Sequence, residues 1–417
     1  MSRPRRVHVI GAGLAGLAAG LRLAESGVAV VLHEAARQAG GRCRSYLDAT
    51  LGCRIDNGNH LLVSGNRAAM DYLRRIGAEA SLIGPAAAVF PFLDLAGGER
   101  WTVRPNRGRL PWWLFRPARR VAGTGPLDYL SGLRLLGAGP DDVVTDRLDP
   151  RSMLFRRLWR PLAVAALNTE AEQAAASLLG RVLRETFGEG GAACRPLVPR
   201  EGLSESLVEP ALARLRALGA ELRLGSRLRG IAFAEGRALS LDFDEGGERL
   251  AADEAAVLAV TAPVAARLVP DLIVPDEFRA IVNAHYRVAA PSDAPLLVGL
   301  VGGVSEWVFK KRAVLSVTIS AADRLIDVPA EELAAQLWPE VRRAYALGET
   351  ALPAWQIVKE RRATFAATPA QQRRRPKAAT RWPNLVLAGD FTDTGLPATI
   401  EGAIRSGDTA ARLLGAR

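Results

Sequence analysis

The stretch VHVIGAGLAGLAAGLRLAESGVAVVLHE, residues 7–34, constrains this chain more than any other. Val7–Ile10 is a short apolar run suited to a buried parallel strand. It runs into Gly11-Ala12-Gly13-Leu14-Ala15-Gly16, and Leu14, Leu17, Leu21 and Ala24 then recur at helical spacing as far as Glu25. Gly27 follows as a helix stop, and VAVVLHE reads as a second strand ending on Glu34. Each glycine has a mechanical reason. Gly11 permits the tight turn, Gly13 lets backbone approach a pyrophosphate, and Gly16 lets the helix pack on the strand. The helix N-terminus offers free N–H groups to an anion. Glu34, about twenty residues on, is placed to accept from a ribose hydroxyl. Strand, turn, helix and acid together predict a Rossmann-type dinucleotide site. The acid argues against a 2′-phosphate, so FAD or NAD is preferred over NADP.

The N-terminus, MSRPRR and then an apolar and small-residue run, superficially matches a secretory signal, but the strand-turn-helix reading is preferred. The chain has 417 residues, and domains cluster near ~100–150, so two domains are expected. The formal charge of +11, nearly all of it arginine, suits an anionic partner. No zinc-finger spacing and no basic helix with heptads appears, so nucleic acid is not expected. Cys43, Cys53 and Cys194 form no CxxC pair. No metal site or disulfide framework is expected, and the chain fits a reducing cytoplasm. No run reaches the ~18 apolar residues that a membrane span requires.

Three further blocks bear on the dinucleotide. In EAARQAGGRCRS, Gly41 gives a flexible backbone and Arg42 a fixed cation that can neutralise pyrophosphate charge. In NLVLAGDFTDTGLPATIEGAIRSG, Leu385–Ala388 reads as a buried strand ending in Gly389-Asp390, and a fresh helix begins at Thr399-Ile400. Ligands of doubly wound sheets sit at strand C-termini and helix N-termini, so this is a second clamp. RIDNGNHLL, residues 54–62, packs Asp56, Asn57, Asn59 and one of only four histidines, His60, around Gly58.

This set of blocks resembles the flavin amine oxidase and phytoene desaturase superfamily, whose members are two-domain FAD enzymes. GRCRSYLDATLGCRIDNGNHLLVSGN and VKERRATFAATPAQQRRRP look more closely like its squalene-associated branch, the hydroxysqualene dehydroxylases of bacterial hopanoid synthesis. The resemblance implies FAD, a hydrophobic isoprenoid substrate, an electron donor still to be identified, and exchange of the hydroxyl of hydroxysqualene for hydride, giving squalene. It implies FAD contacts at Gly11, Gly13, Leu14, Ala15, Gly16, Glu34, Gly41, Arg42, Gly389, Asp390, Thr399 and Ile400. Leu228, in GSRLRGIAF, falls on the strand whose backbone reads adenine. Asn57, Gly58, Asn59 and His60 line up with the loop passing along the flavin, with Gly58 letting backbone reach the ring. His60 and Asp393 are the candidate acids that would protonate the leaving hydroxyl.

The expected fold class is α/β: a discontinuous Rossmann-type FAD-binding domain and a second α+β substrate domain, as in flavin amine oxidases. The first takes roughly residues 1–75, 200–265 and 378–417, and the second 76–199 and 266–377. RPNRGRLPWWLFRPARR, 104–120, sets Trp112, Trp113, Leu114 and Phe115 among six arginines. Such a stretch suits peripheral contact with the inner face of a membrane, and equally a buried aromatic cluster with solvated arginines. Two rival activities remain within the fold, an oxidative carotenoid-type desaturase and an amine oxidase. None of the five tyrosines lies in RIDNGNHLL or in the C-terminal clamp, which counts against the amine oxidase. A non-catalytic FAD-binding partner is the rival outside enzymes.

Overall fold

The computed structural model describes residues 3–416. Met1, Ser2 and Arg417, which fall in the first and last segments of the expected FAD domain, lie outside the described residues. Arg6–Ile10 forms the first strand, Leu14–Glu25 the first helix and Ala29–Glu34 the second strand, so the apolar N-terminal run belongs to the core rather than to a separate leader-like segment. These strands lie in a five-stranded parallel sheet in the order Glu221–Leu224, Ala29–Glu34, Arg6–Ile10, Glu254–Leu258, Leu385–Leu387. In chain order that is 3-2-1-4-5, the doubly wound arrangement whose order reverses beside the first strand. Gly11 follows that strand, at the carboxyl edge where such sheets bind ligands.

The first helix packs against the last, Ile400–Leu413. Gly407 makes the approach possible, because a Cβ there would stand 2.2 Å from the Ala15 carbonyl oxygen. Arg22 fixes the pair, donating from Nε to Asp408 at 2.8 Å and from Nη2 to Asp71 at 2.9 Å. A three-stranded antiparallel sheet, Leu228–Ala234, Arg237–Phe243 and Gly246–Arg249, covers one side of the parallel sheet.

A second, seven-stranded sheet runs in the order Trp355–Phe365, Phe278–Arg287, Val314–Ile319, Trp307–Lys311, Leu297–Val301, Phe90–Asp94, Arg100–Val103. Alternation sorts its side chains to two faces. Val282, Ala284 and Tyr286 pack on the helix Ala330–Tyr345 through Leu333, Leu337 and Val341. Asn283, His285, Ser316 and Thr318 occupy the intervening positions and turn the other way. Phe92, Trp307 and Phe309 meet a largely helical layer drawn from residues 112–183. Two hairpin strands, Ser45–Asp48 and Cys53–Asp56, lead into RIDNGNHLL and bring it against the polar positions of this sheet.

Candidate functional site

The site begins at the glycine turn. Gly11 has φ +108°, and an added Cβ would lie 2.4 Å from the Ala259 carbonyl oxygen. A Cβ on Gly16 would lie 1.9 Å from the Gly11 carbonyl oxygen. Gly13 differs, since nothing stands within 4 Å of a Cβ built there. Leu14 and Ala15 open a helix with no side-chain cap and no acid in its first turn, so its leading N–H groups are left for an anion. The Glu34 carboxylate stands beside them, accepting from Ala12 N at 2.8 Å and Ala36 N at 2.9 Å. Gly40 N donates to the Ala12 carbonyl at 2.8 Å, and a Cβ on Gly41 would stand 3.6 Å from the Gly13 Cα, so the second Gly-Gly turn lies directly on the first.

Leu228 starts its strand close to the Glu34 end of the parallel sheet. Gly225 N donates to the Ala36 carbonyl at 3.0 Å, and Ser226 Oγ lies 3.2 Å from His33 Nδ1. The Leu228 side chain is buried with Ile10 and Phe243, which leaves its backbone as the part able to meet a base. His33 stacks on Phe243 at 4.2 Å, and burial pushes its pKa down to about 4.

The C-terminal clamp reaches the same turn. Asp390 is nearly buried and accepts from Arg42 Nη2 at 2.7 Å, while Arg42 Nη1 donates to the Ala363 carbonyl at 2.6 Å. This pairing corrects the expectation that the charge of Arg42 answers a pyrophosphate. The guanidinium is already matched by Asp390, while the uncapped helix keeps N–H groups that an anion would suit. Gly389 has φ +149°, and its N–H donates to Ser406 Oγ at 2.8 Å. Thr399 caps the last helix by accepting from Gly402 N at 3.0 Å, and Ile400 buries its side chain in the core. Their contribution is therefore a rigid helix N-terminus.

Arg375 orders this loop, and the residue-by-residue reading of the sequence passed over it. It is 6% exposed and donates to the Leu396 carbonyl at 2.7 Å, to the Asp390 carbonyl at 3.2 Å and to the Thr392 carbonyl. Burial pushes its pKa down to about 10. The only sign of it in the sequence is the arginine triplet before Pro376.

Residues 56–60 form a seam with the seven-stranded sheet. Asp56 Oδ1 accepts from Ser45 Oγ at 2.6 Å and Leu203 N at 2.9 Å, and Oδ2 pairs with Lys311 Nζ. Burial alone would raise the Asp56 pKa, but Lys311 and these hydrogen bonds outweigh it and hold it below the usual range. Asn57 is held through its backbone N–H on the Arg44 carbonyl at 2.9 Å. Asn59 Nδ2 donates to Thr318 Oγ1 at 3.1 Å, and its backbone N–H points to Asn283 Oδ1 at 3.4 Å. A Cβ on Gly58 would lie 3.1 Å from Asn283 Nδ2. Gly58 thus makes room for a side chain of the sheet, a different reason from the approach to a flavin ring expected of it. Asn59 likewise gives its Nδ2 to the sheet, which anchors the seam, while its Oδ1 is buried without a partner among the described residues.

Both expected acids are held by neighbouring backbone. His60 Nδ1 lies 3.1 Å from the Gly58 carbonyl, which can only accept, so Nδ1 carries the proton and Nε2 the lone pair. Burial lowers its pKa, leaving a neutral acceptor at pH 7. Asp393 is exposed, and its carboxylate accepts from Gly395 N at 3.3 Å. His285 is on the sheet face that meets the seam, and Glu306 lies beside the end of the strand that carries Thr318. His285 is 1% exposed; Nδ1 lies 2.7 Å from Ser316 Oγ, Nε2 is buried without a partner, and desolvation pushes its pKa down to about 3. Glu306 accepts from Ser320 N at 2.8 Å, and burial pushes its pKa up to about 7.

The aromatic stretch divides. Trp113 is buried with its ring against Tyr129 at 5.3 Å, and Leu114 is half-buried against the same core, which corrects the expectation that all four residues face a membrane. Trp112 and Phe115 remain exposed. Among the described residues no helix is long and apolar enough to cross a membrane, and the three cysteines are free.

The pattern of the flavin containing amine oxidoreductases matches residues 14–290 and 301–414. The hydroxysqualene dehydroxylase of Rhodopseudomonas palustris is 52% identical over 98% of each chain, and that of Sinorhizobium fredii is 49% identical over 98% of each. The chain belongs to the hydroxysqualene dehydroxylase family of flavin containing amine oxidoreductases. A solved cyclohexylamine oxidase from Brevibacterium oxydans shares the fold, with a TM-score of 0.67 at 17% identity over 99% of this chain and 98% of the other. For this hydroxysqualene dehydroxylase family member the cofactor is FAD. The uncapped helix, the space beside Gly13 and the Glu34 carboxylate fit its diphosphate and ribose.

Proposed function

We propose that this chain reductively removes the hydroxyl of hydroxysqualene to give squalene. The carrying observation is 52% identity over 98% of both chains to a protein of that activity, joined to a glycine turn and clamp that fit FAD. FAD in its reduced form supplies the hydride. The balance is then ROH plus a proton plus hydride giving RH and water, so the protein has to supply the proton and keep water from the carbon.

The residues support those tasks unequally. At the seam Asp56 is compensated by Lys311, Asn59 is tied to Thr318 through Nδ2, and His285 stays neutral. A neutral His60 presenting its Nε2 lone pair accepts rather than gives. Glu306 is the carboxyl among the described residues that burial pushes upward, and at a pKa of about 7 it is about half protonated at neutral pH. Its carboxylate accepts from Ser320 N, the residue after the strand that carries Thr318, which makes it the carboxyl to test first as the proton donor. The free cysteines suit a reducing cytoplasm.

The test is anaerobic incubation of dithionite-reduced protein with hydroxysqualene and identification of the product. Squalene is expected. A desaturated product, or an unchanged substrate beside a fully bound flavin, overturns the reading. Glu306→Gln is expected to slow squalene formation roughly hundredfold or more with flavin content intact. Unchanged turnover removes Glu306 from the mechanism without touching the product assignment.

A further inference from the structure

The segment Pro126–Gly137 is a 3-10 helix twelve residues long, where such helices rarely exceed a turn or so. With three residues per turn, positions i and i+3 stack, so its side chains fall into three straight rows. One row is Tyr129, Gly132 and Leu135. Tyr129 and Leu135 are buried, and Gly132 lies flat on Trp159, whose ring would stand 3.0 Å from an added Cβ. A second row, Asp128, Ser131 and Arg134, is polar. The third is Leu127, Leu130, Leu133 and Leu136, exposed by 78%, 54%, 59% and 40%. The buried row already satisfies the core, so this row of leucines is left exposed among the described residues.

The row does not stand alone. Trp113 packs edge-on to Tyr129 and so brings the short turn Trp112–Phe115 beside this helix. Trp112 and Phe115, 64% and 66% exposed, extend the apolar face. Arg116 and Arg119 follow Phe115 in the chain and Arg134 lies on the neighbouring row of the helix, all exposed and none in an ion pair among the described residues. Unpaired guanidiniums around exposed leucine and tryptophan match an anionic lipid surface in both chemistries, with cations at the headgroups and apolar side chains at the acyl boundary. A face meant for another copy of this chain would set those arginines against each other.

We infer that the leucine row with Trp112 and Phe115 is a monotopic docking surface for an anionic phospholipid bilayer. Binding needs no substrate, so it stands or falls separately from the proposed reaction. The experiment is co-sedimentation of the FAD-loaded protein with vesicles of phosphatidylglycerol and phosphatidylcholine, and with vesicles of phosphatidylcholine alone. The wild type is expected to pellet with the anionic vesicles, and added salt should release it. The triple change Leu127→Ser, Leu130→Ser and Leu133→Ser should lower partitioning roughly tenfold or more. Arg116→Gln, Arg119→Gln and Arg134→Gln together should lower it on anionic vesicles and flatten the salt dependence. All six positions are exposed, and unchanged flavin content and melting temperature verify that both variants fold. A leucine variant that folds and pellets like wild type overturns the inference. So does a wild type that ignores vesicles, or one that instead forms a dimer abolished by the leucine changes.

Discussion

The glycine turn at residues 11–16 and the seam at residues 56–60 are both packed tightly, and they are specified in opposite ways. At the turn the backbone decides. Gly11 and Gly16 are fixed by carbonyl oxygens 2.4 and 1.9 Å from where a Cβ would go, and the helix and strand that complete the motif end by Glu34. At the seam side chains decide, and the partners lie far along the chain. Lys311 is 255 residues from Asp56, and Thr318 is 259 from Asn59. A local backbone requirement leaves a readable spacing. A pairing across two folded sheets leaves only residue types.

The contrast can be broken first at the turn. Gly11→Ala puts a Cβ into the Ala259 carbonyl at a φ that L side chains rarely adopt, so flavin content after purification should fall nearly to zero. A variant that keeps full flavin would show that the backbone is not what decides there. The seam should yield next. Lys311→Met strands a buried Asp56 carboxylate and should cost about 3–5 kcal/mol in urea unfolding, with most of it recovered by adding Asp56→Asn. If Lys311→Met is as stable as wild type, the seam is not held by its ion pair.

A smaller effect sharpens the role of the seam histidine. His285 at about 3 and His33 at about 4 lie below the ordinary histidine value of about 6.5. Between those values the unfolded chain binds protons that the folded chain refuses. Their stabilisation is therefore complete above about pH 6.5 and is lost as pH falls toward the folded values, by up to about 1.4 kcal/mol per pH unit for each group. His285→Gln should make the melting temperature fall less steeply between pH 6.5 and about 4. The same slope in both proteins would contradict the buried, neutral His285. The smallest effect belongs to Asp393→Asn. An exposed carboxylate should change stability by less than about 0.5 kcal/mol and leave turnover within about twofold. A large loss of turnover would return Asp393 to the reaction.

What could be read from the sequence follows the same division. The first strand, helix and second strand fall where the apolar periodicity and the glycines put them, and Thr399 caps the last helix as its position suggests. Phe278–Arg287, at the heart of the second sheet, alternates with Asn283 and His285 at polar positions, but nothing in its sequence says that those positions face the seam rather than solvent. The WWLF stretch reads as one aromatic cluster, yet a short 3-10 turn sends Trp113 inward and Trp112 outward. The leucine row is hidden for a similar reason. Spacing by three is a helical face only when the helix is 3-10, and nothing in PLDYLSGLRLLG forces that geometry. Lys311 and His285 carried one available sign, the scarcity of both residue types, with four lysines and four histidines in 417 residues.

The central claim is that reduced FAD in this chain exchanges a hydroxyl for hydrogen on an isoprenoid carbon. The most direct measurement follows the absorbance of oxidised flavin in a single anaerobic turnover, with squalene quantified in the same sample. The account predicts that flavin reoxidation and squalene appear together in equal amounts. Flavin that stays reduced in the presence of hydroxysqualene, or that reoxidises without squalene, would contradict it.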